Sequence, residues 1–245
     1  MKPPVLVIAG LDPSGGAGIL RDARAVNSAG VDCRVVATSL TAQDENSFDR
    51  FEDVSPDMVE AQFKAAVRSR HPAAVKVGML GSRANCEAVA RLLRGLKTRP
   101  PLVVDPVLAA SSGGNLTDDS DLASLRDHMI PLASLVTPNV PEAAVLARMD
   151  ITGVEQMESA AVTILRMGAG AVLVKGGHLK SETVTDVLAI KGESVRLLRH
   201  ERLPRGIHGS GCLLSSTAAA HLALGSSLAE AVQLGIDAVV NEIGL

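Results

Sequence analysis

A glycine-rich turn near the end of the chain carries the residue types that an anion site needs. The turn at 205–212, RGIHGSGC, leads into residues 213–224, an apolar segment rich in Ala, Leu and Ser that is typical of a buried helix. A helix N-terminus presents unpaired backbone N–H groups, and Gly209 and Gly211 let an anion approach without meeting a Cβ. With Ser210 between the two glycines, the turn predicts a phosphate site.

Cys212 follows this turn directly, in the first turn of the predicted helix. The field at a helix N-terminus favours thiolate over thiol, so this cysteine is a possible proton acceptor beside the phosphate site. A phosphoryl transferase that acts on an alcohol needs such a pair. Two alternatives stay open, because a glycine-rich turn can be a tight connection only and a lone cysteine is often a small core residue.

Other polar residues follow apolar runs that predict buried strands. Four continuous apolar runs are typical of strands in a parallel sheet, at 5–9, 73–78, 101–105 and 171–175. The loop at 10–18, GLDPSGGAG, follows the first run but lacks both the Gly-x-Gly-x-x-Gly spacing of a dinucleotide site and the lysine of a Walker A motif. We interpret it as a close-approach loop at the sheet edge where open α/β sheets bind ligands.

Three charged side chains could serve phosphoryl transfer at that edge. Asp105 and Glu142 could hold Mg²⁺, which prefers few carboxylates plus phosphate oxygens, and Lys175 could neutralise phosphate charge. Asn139 is placed to cap the helix in whose first turn Glu142 lies, which is a sufficient structural explanation for both residues.

Two further residues could contact an acceptor substrate. The amide of Gln43 could pair with a ring nitrogen and an exocyclic amine together, although a surface glutamine is the usual alternative. Asp22, one turn into the helix after the glycine loop, could face the same crevice or be a solvated helix acid.

The alternation of strands and helices predicts the architecture. It specifies a three-layer α/β fold with a mostly parallel central sheet and helices on both faces. An antiparallel hairpin is expected at the far edge, from residues 184–190 and 194–198, and a short edge strand at 48–54. No linker or repeat divides the sequence, so we predict one domain over residues 1–245.

Composition excludes several classes of function. With a net charge of −3, no basic run and neither Trp nor Tyr, the sequence lacks the features of a nucleic-acid binder. The apolar segments are too short or too interrupted for a signal peptide or membrane span. Cys33, Cys86 and Cys212 form no Cys-x-x-Cys pair, which argues against disulfides and structural zinc and predicts a cytoplasmic protein.

Seven motifs between residue 5 and about residue 224 together resemble one family, the hydroxymethylpyrimidine/phosphomethylpyrimidine kinases of thiamine biosynthesis. They are GLDPSGGAG at 10–18, TAQ at 41–43, KVGML at 76–80, DPV at 105–107, TPNVPEA at 137–143, VKGGH at 174–178 and HGSGC at 208–212. The resemblance implies a ribokinase-like fold that uses ATP and Mg²⁺ to phosphorylate 4-amino-5-hydroxymethyl-2-methylpyrimidine and then its monophosphate. It also implies a homodimer.

The resemblance assigns roles to positions on the acceptor side. It implies that Gln43 reads the aminopyrimidine and that Asp22, Gly10 and Met79 are further positions of the substrate pocket. Leu11 stands where the family commonly has Ser.

On the donor side, it places Asp105 and Glu142 in the metal region and Lys175, Thr137 and Asn139 at the nucleotide. The amides of Gly209, Ser210 and Gly211 hold the transferring group, and Cys212 stands where sugar kinases of the same fold carry an aspartate base. Ser111 and Gly114 replace a frequent Lys and Asp of a mobile loop.

Two other functions fit part of the sequence. A pyridoxal-type kinase of the same fold also acts on a hydroxymethyl group of a flat heteroaromatic ring. A catalytically silent pyrimidine-binding sensor would explain the loop changes but has no use for Asp105, Glu142, Lys175 and Cys212.

Overall fold

The computed structural model describes residues 2–44, 47–108, 118–202 and 208–243. Ser111 and Gly114 lie outside the described residues, as does the 205–207 part of the glycine-rich turn. Among the described helices, none combines the length and the hydropathy that crossing a lipid bilayer requires.

Nine strands form one sheet in the described part of the chain, in the order β3-β2-β1-β4-β5-β6-β7-β8-β9. Their bounds are β1 Pro4–Leu11, β2 Asp32–Gln43, β3 Phe48–Asp53, β4 Ala74–Val77, β5 Leu102–Val104, β6 Leu135–Val136, β7 Ala171–Val174, β8 Thr183–Ile190 and β9 Arg196–Glu201. The six strands from β2 to β7 in this order pair in parallel, while β3 at one edge and β8 and β9 at the other pair antiparallel. The predicted edge strand and far hairpin are confirmed.

In the residues that the structure describes, eight α-helices cover the two faces of this sheet. They are α1 Gly18–Ser28, α2 Pro56–Val67, α3 Arg83–Arg94, α4 Asp119–Ser124, α5 Val140–Ala147, α6 Val154–Leu165, α7 Ser210–Ala223 and α8 Leu228–Ile243. Helices α2 to α6 bury their apolar side chains in one core cluster, and α1, α7 and α8 bury theirs in a second cluster across the sheet. The predicted three-layer fold with a mostly parallel sheet is therefore confirmed.

The order in which strands are added to the sheet reverses at β1, and this reversal explains where a ligand site forms. The chain goes from β1 to its neighbour β2, adds β3 outside it, and then returns to place β4 on the other side of β1. Such a switch point opens a crevice at the carboxyl ends of the strands. Gly10 and Met79 lie at the ends of β1 and β4, on either side of this crevice.

The sequence predicts a strand over residues 34–40 and a helix from Asp118, and the structure differs from both predictions. Strand β2 continues through Gln43, which pairs with Phe48, because β3 extends the antiparallel ladder beyond the apolar run. The helix expected from Asp118 is α-helical only over Asp119–Ser124, after which Leu125–Met129 form a π-helical turn and Ile130–Leu132 a 3-10 turn. Pro131 lacks the N–H that would donate to the Asp127 carbonyl in an α-helix, so α-helical bonding cannot continue through the last of these turns.

Candidate active site

A cavity of about 730 Å³ lies at the carboxyl edge of the parallel strands. Most candidate residues of the sequence line it: Gly10, Gln43, Met79, Asp105, Asn139, Glu142, Lys175, Gly209, Ser210, Gly211 and Cys212. Asp22 and Thr137 do not line it, since both are completely buried beneath its floor. The cavity therefore brings the predicted acceptor and donor sides together in one space.

The N-terminus of α7 forms the predicted anion turn. Gly209 is its N-cap residue, with a φ of 73°, and no described side chain caps the helix. The first N–H groups of the helix thus lack an intrahelical partner and a capping oxygen. A Cβ on Gly211 would lie 2.8 Å from Lys175 Nζ, so this cation flanks the free amides. The turn can hold an anion between backbone donors and an ammonium group.

The glycine loop after β1 is folded around Asp12, a residue that sequence reasoning did not single out. The buried Asp12 carboxylate accepts hydrogen bonds from the backbone N–H groups of Ser14 and Ala17, at 2.9 and 2.8 Å. Its Oδ2 also lies 3.1 Å from His208 Nε2. Asp12 therefore joins the glycine loop to His208, the residue directly before the Gly209 N-cap of α7. Its position inside the GLDPSGGAG motif was the available signal.

Lys175 and Asp105 form an ion pair on the donor side. Lys175 Nζ lies 3.0 Å from Asp105 Oδ1, which also accepts a hydrogen bond from the Thr137 hydroxyl at 2.9 Å. Although burial opposes ionisation, the positive charges of Lys175 and Lys76 hold the pKa of Asp105 below its ordinary value. The pKa of Lys175 is raised, because the attraction of Asp105 and then Glu142 outweighs burial. Thr137 consequently orients the carboxylate from behind and does not face the cavity.

Glu142 has a structural and an electrostatic role. As predicted, Asn139 caps α5, and each of the two side chains accepts a hydrogen bond from the other residue's backbone N–H, at 2.9 and 2.8 Å. Burial of the carboxyl raises its pKa to about 7, and the nearby negative charge of Asp105 adds to the effect. The folded protein thus keeps a proton on Glu142 at a pH where the unfolded chain has released it.

This difference in proton affinity predicts a pH-dependent effect of Glu142→Gln. The unfolded state releases the proton near pH 4.5 and the folded state near pH 7, so the free energy of unfolding falls as the pH rises between these values. Gln keeps the acceptor for the Asn139 N–H, so we expect it to stabilise the protein by about 2 kcal/mol more at pH 8 than at pH 5. Urea unfolding at the two pH values measures this difference.

Glu60→Gln is the control for that experiment. Hydrogen bonds with Lys64 and Arg91 lower the pKa of the half-buried Glu60 to about 2, so neutralising Glu60 should bring no gain in stability at pH 8. If Glu142→Gln changes the stability by the same amount at both pH values, the folded protein does not hold the additional proton assigned to Glu142.

Asp22 takes part in a buried network and not in the cavity wall. Both of its carboxylate oxygens accept hydrogen bonds from Lys76 Nζ, at 2.9 and 2.8 Å, and Oδ1 also accepts one from the Ser216 hydroxyl at 2.7 Å. The prediction that Asp22 faces the crevice is therefore wrong for its side chain. Lys76, like Asp12, was not predicted as a site residue: it lines the cavity, but in sequence it lies inside an apolar run.

Cys212 lies in the first turn of α7, as predicted, and is partly exposed to the cavity. Burial raises the pKa of its thiol to about 12, although the charge of Lys76 and a hydrogen bond from the Gly18 backbone N–H act in the opposite direction. The prediction that the helix field favours the thiolate is wrong for this structure, because desolvation outweighs the field. The thiol is suited to position a hydroxyl.

Gln43 and Met79 lie on the acceptor side of the cavity. The Gln43 side-chain oxygen is buried and has no hydrogen-bond partner among the described residues. A buried amide oxygen without a partner costs free energy, which a ligand N–H would recover. Met79 is held by its carbonyl, which accepts a hydrogen bond from the Thr38 hydroxyl at 2.6 Å. This side of the cavity can accept a hydrogen bond from a ligand N–H at Gln43.

The donor-side carboxylates fit a magnesium ion only in part. No cluster of three or more His, Cys, Asp or Glu side chains in the described ranges is arranged to hold a metal. Asp105 and Glu142 supply two hard oxygen donors on one cavity wall. Mg²⁺ commonly takes one or two carboxylates and fills its remaining positions with water and substrate phosphates. The pair fits an ion that arrives with a nucleotide.

The comparisons with known proteins agree with this geometry. A family model described as phosphomethylpyrimidine kinase matches residues 12–244. A hydroxymethylpyrimidine/phosphomethylpyrimidine kinase from Rhizobium meliloti (strain 1021) is 43% identical over 228 residues, which cover 93% of this chain and 85% of that protein.

Two solved structures extend the likeness to the fold. Phosphomethylpyrimidine kinase from Clostridium difficile 630 superposes with a TM-score of 0.86 at 35% identity, covering 99% of this chain and 100% of that one. Pyridoxal kinase from Bacillus subtilis, in an ADP complex, gives a TM-score of 0.87 at 32% identity, covering 97% and 90%. The ribokinase-like fold implied by the motifs is thereby confirmed.

Proposed function

The chain belongs to the phosphomethylpyrimidine kinase family, and from this membership and the geometry of the cavity we propose which reaction it catalyses. It transfers the terminal phosphoryl group of ATP to the hydroxymethyl group of 4-amino-5-hydroxymethyl-2-methylpyrimidine. The monophosphate is then the acceptor of a second transfer, which gives the diphosphate.

One observation carries this proposal: a single cavity contains both the Gln43 amide and the uncapped N-terminus of α7. The free Gln43 oxygen suits the exocyclic amine of the pyrimidine. The α7 amides suit a phosphoryl group. Phosphoryl transfer needs mainly in-line placement and charge neutralisation, and these two groups define the two ends of that line.

The remaining residues have supporting roles in the proposed transfer. Lys175 neutralises phosphate charge beside the α7 amides, and the Cys212 thiol positions the acceptor hydroxyl. Asp105 and Glu142 would hold Mg²⁺, directly or through water, and the ion would neutralise charge on the nucleotide phosphates. Asn139 borders the same wall as these carboxylates, which agrees with a position at the nucleotide.

Pyridoxal is the second candidate acceptor. The pyridoxal kinase from Bacillus subtilis and the phosphomethylpyrimidine kinase from Clostridium difficile 630 superpose on this chain with nearly equal TM-scores, 0.87 and 0.86. A coupled assay of ADP release distinguishes the two candidates when the aminopyrimidine alcohol, its monophosphate and pyridoxal are compared. We expect the highest kcat/KM with the aminopyrimidine alcohol. Faster turnover of pyridoxal would replace the proposed substrate, and no ADP release with any acceptor would support the silent sensor.

Gln43→Ala tests the acceptor end of the cavity. We expect KM for the aminopyrimidine to rise by about 10- to 100-fold, because the variant removes one to two hydrogen bonds to the ring, while KM for ATP changes little. Steady-state kinetics with each substrate varied in turn measures both constants. The exposed Gln233, on α8, is the matched control, and Gln233→Ala should leave both unchanged. Equal increases in the two KM values would count against the placement of Gln43.

We further propose a single domain and a homodimer in the cytoplasm. The one sheet shared by all described strands supports the single domain. Sedimentation equilibrium of the purified chain tests the dimer.

A further inference from the structure

A completely buried ion pair lies beneath the anion turn. The side chains of Lys76 on β4 and Asp22 on α1 both have 0% exposure, and Lys76 Nζ donates to both carboxylate oxygens. Moving two charges out of water is expensive, and apolar residues of similar volume often stabilise a core at least as well. A role beyond stability is therefore expected for this pair.

The pair is fixed with respect to Cys212 by helix geometry. The Ser216 hydroxyl donates to Asp22 Oδ1 at 2.7 Å, and Ser216 lies four residues after Cys212 on α7. Residues four apart lie on the same face of a helix, about 6 Å from each other. The ion pair thus lies one helical turn below the cysteine, and Lys76 and Cys212 both line the same cavity.

Two groups with positive character approach the cysteine from different elements. Lys76 has three N–H donors, of which two are used by Asp22, and its positive charge and the Gly18 backbone N–H both act to lower the pKa of the Cys212 thiol. Other charges that act on the sulfur are Asp105 after β5 and Lys175 after β7. Asp22 raises the pKa of the Cys212 thiol, so the two members of the ion pair act on the thiol in opposite directions.

We propose that Lys76, oriented by Asp22, is a positioning residue that stabilises negative charge on the Cys212 sulfur at the acceptor side of the cavity. The inference deepens the proposed function, because it identifies the charge that polarises the Cys212 thiol, the group that positions the acceptor hydroxyl. Lys76 touches no substrate in this account. It acts through the cysteine, and Asp22 limits its effect by neutralising part of its charge.

Alkylation of Cys212 by iodoacetamide tests this role in the full-length protein without any substrate. Only the thiolate reacts, so at pH 8 the rate is proportional to the small ionised fraction. Mass spectrometry of the peptide that contains Cys212 separates its rate from those of Cys33 and Cys86. We expect Lys76→Met to slow the reaction about tenfold and Asp22→Asn to accelerate it about tenfold, since a neighbouring charge shifts a pKa by about one unit or more.

The opposite signs distinguish charge from loosened packing. Loosened packing around Cys212 would expose the thiol in both variants and accelerate both alkylations. The same acceleration would then be seen with a second alkylating reagent of different size. Ser216→Ala removes an uncharged partner of Asp22 and should change the rate far less than either charge substitution. Lys76→Arg keeps the charge and should restore most of the wild-type rate.

Changes in the same direction for the two charge variants, or no change in either, would overturn the proposal. If Lys76→Met does not fold, the double variant Lys76→Met/Asp22→Asn replaces it, and Asp22→Asn must then react faster than the double variant. Equal rates would again overturn the role of Lys76. Because the measurement needs no turnover, its outcome is independent of whether the aminopyrimidine is the substrate.

Discussion

Gly209→Ala is expected to reduce kcat/KM for ATP by about 100-fold or more, since oxyanion-type donors in enzymes contribute this much. The glycine has a φ of 73°, which side-chain residues rarely adopt, and a Cβ at this position would lie 2.1 Å from the Gly16 carbonyl oxygen. That contact is with backbone, so either the glycine loop or the start of α7 must move. Steady-state kinetics and nucleotide titration measure the loss.

Gly225→Ala is the matched control, because Gly225 follows the other end of the same helix. It has a φ of 94°, and a Cβ there would have nothing within 4 Å. The control should lose about 1 to 2 kcal/mol of stability from the backbone conformation alone and keep its activity. Wild-type kinetics in Gly209→Ala would show that the N-terminus of α7 does not bind the phosphate. An equal loss of activity in Gly225→Ala would contradict the assignment in the same way.

Lys175→Met is expected to lower kcat by about 100- to 1000-fold, because it removes the positive charge beside the transferring group. The same change leaves the buried Asp105 without its ion-pair partner, and breaking a buried pair in this way costs about 3 kcal/mol or more. Loss of stability should therefore accompany loss of activity. Urea unfolding and single-turnover kinetics measure the two effects separately.

Lys64→Met provides the comparison for this variant. Lys64 also pairs with a carboxylate, Glu60 at 2.6 Å, but its side chain is 65% exposed. Exposed pairs of this kind contribute little, so neither stability nor kcat should change appreciably. Full activity in a folded Lys175→Met protein would show that Lys175 does not act on the phosphate.

The architecture could be predicted because its signals are local. Continuous apolar runs predict parallel strands at any position, and the Asn139 capping box and the far hairpin depend on residues close together in sequence. Where the pattern stopped, the prediction was less accurate. Gln43 belongs to β2 because a partner strand extends the ladder, which its own neighbours in sequence do not indicate.

The candidate site could be predicted as a list of residues but not as a set of contacts. Lys76 occurs inside an apolar run, so its pairing with Asp22, 54 residues away, has no local signal. Asp12 and His208 are 196 residues apart and likewise meet only in the folded chain. The charge state of Cys212 depends on a balance between the helix field and burial, and only the folded structure gives the second quantity.

A crystal structure of the chain with a non-hydrolysable ATP analogue, Mg²⁺ and the aminopyrimidine alcohol would show whether one cavity places the two substrates for direct transfer. We expect the terminal phosphate on the backbone N–H groups of Ser210 to Cys212, with the Gln43 amide on the pyrimidine amine and the hydroxymethyl oxygen facing that phosphate. A terminal phosphate bound away from the α7 N-terminus, or a pyrimidine that does not contact Gln43, would contradict it.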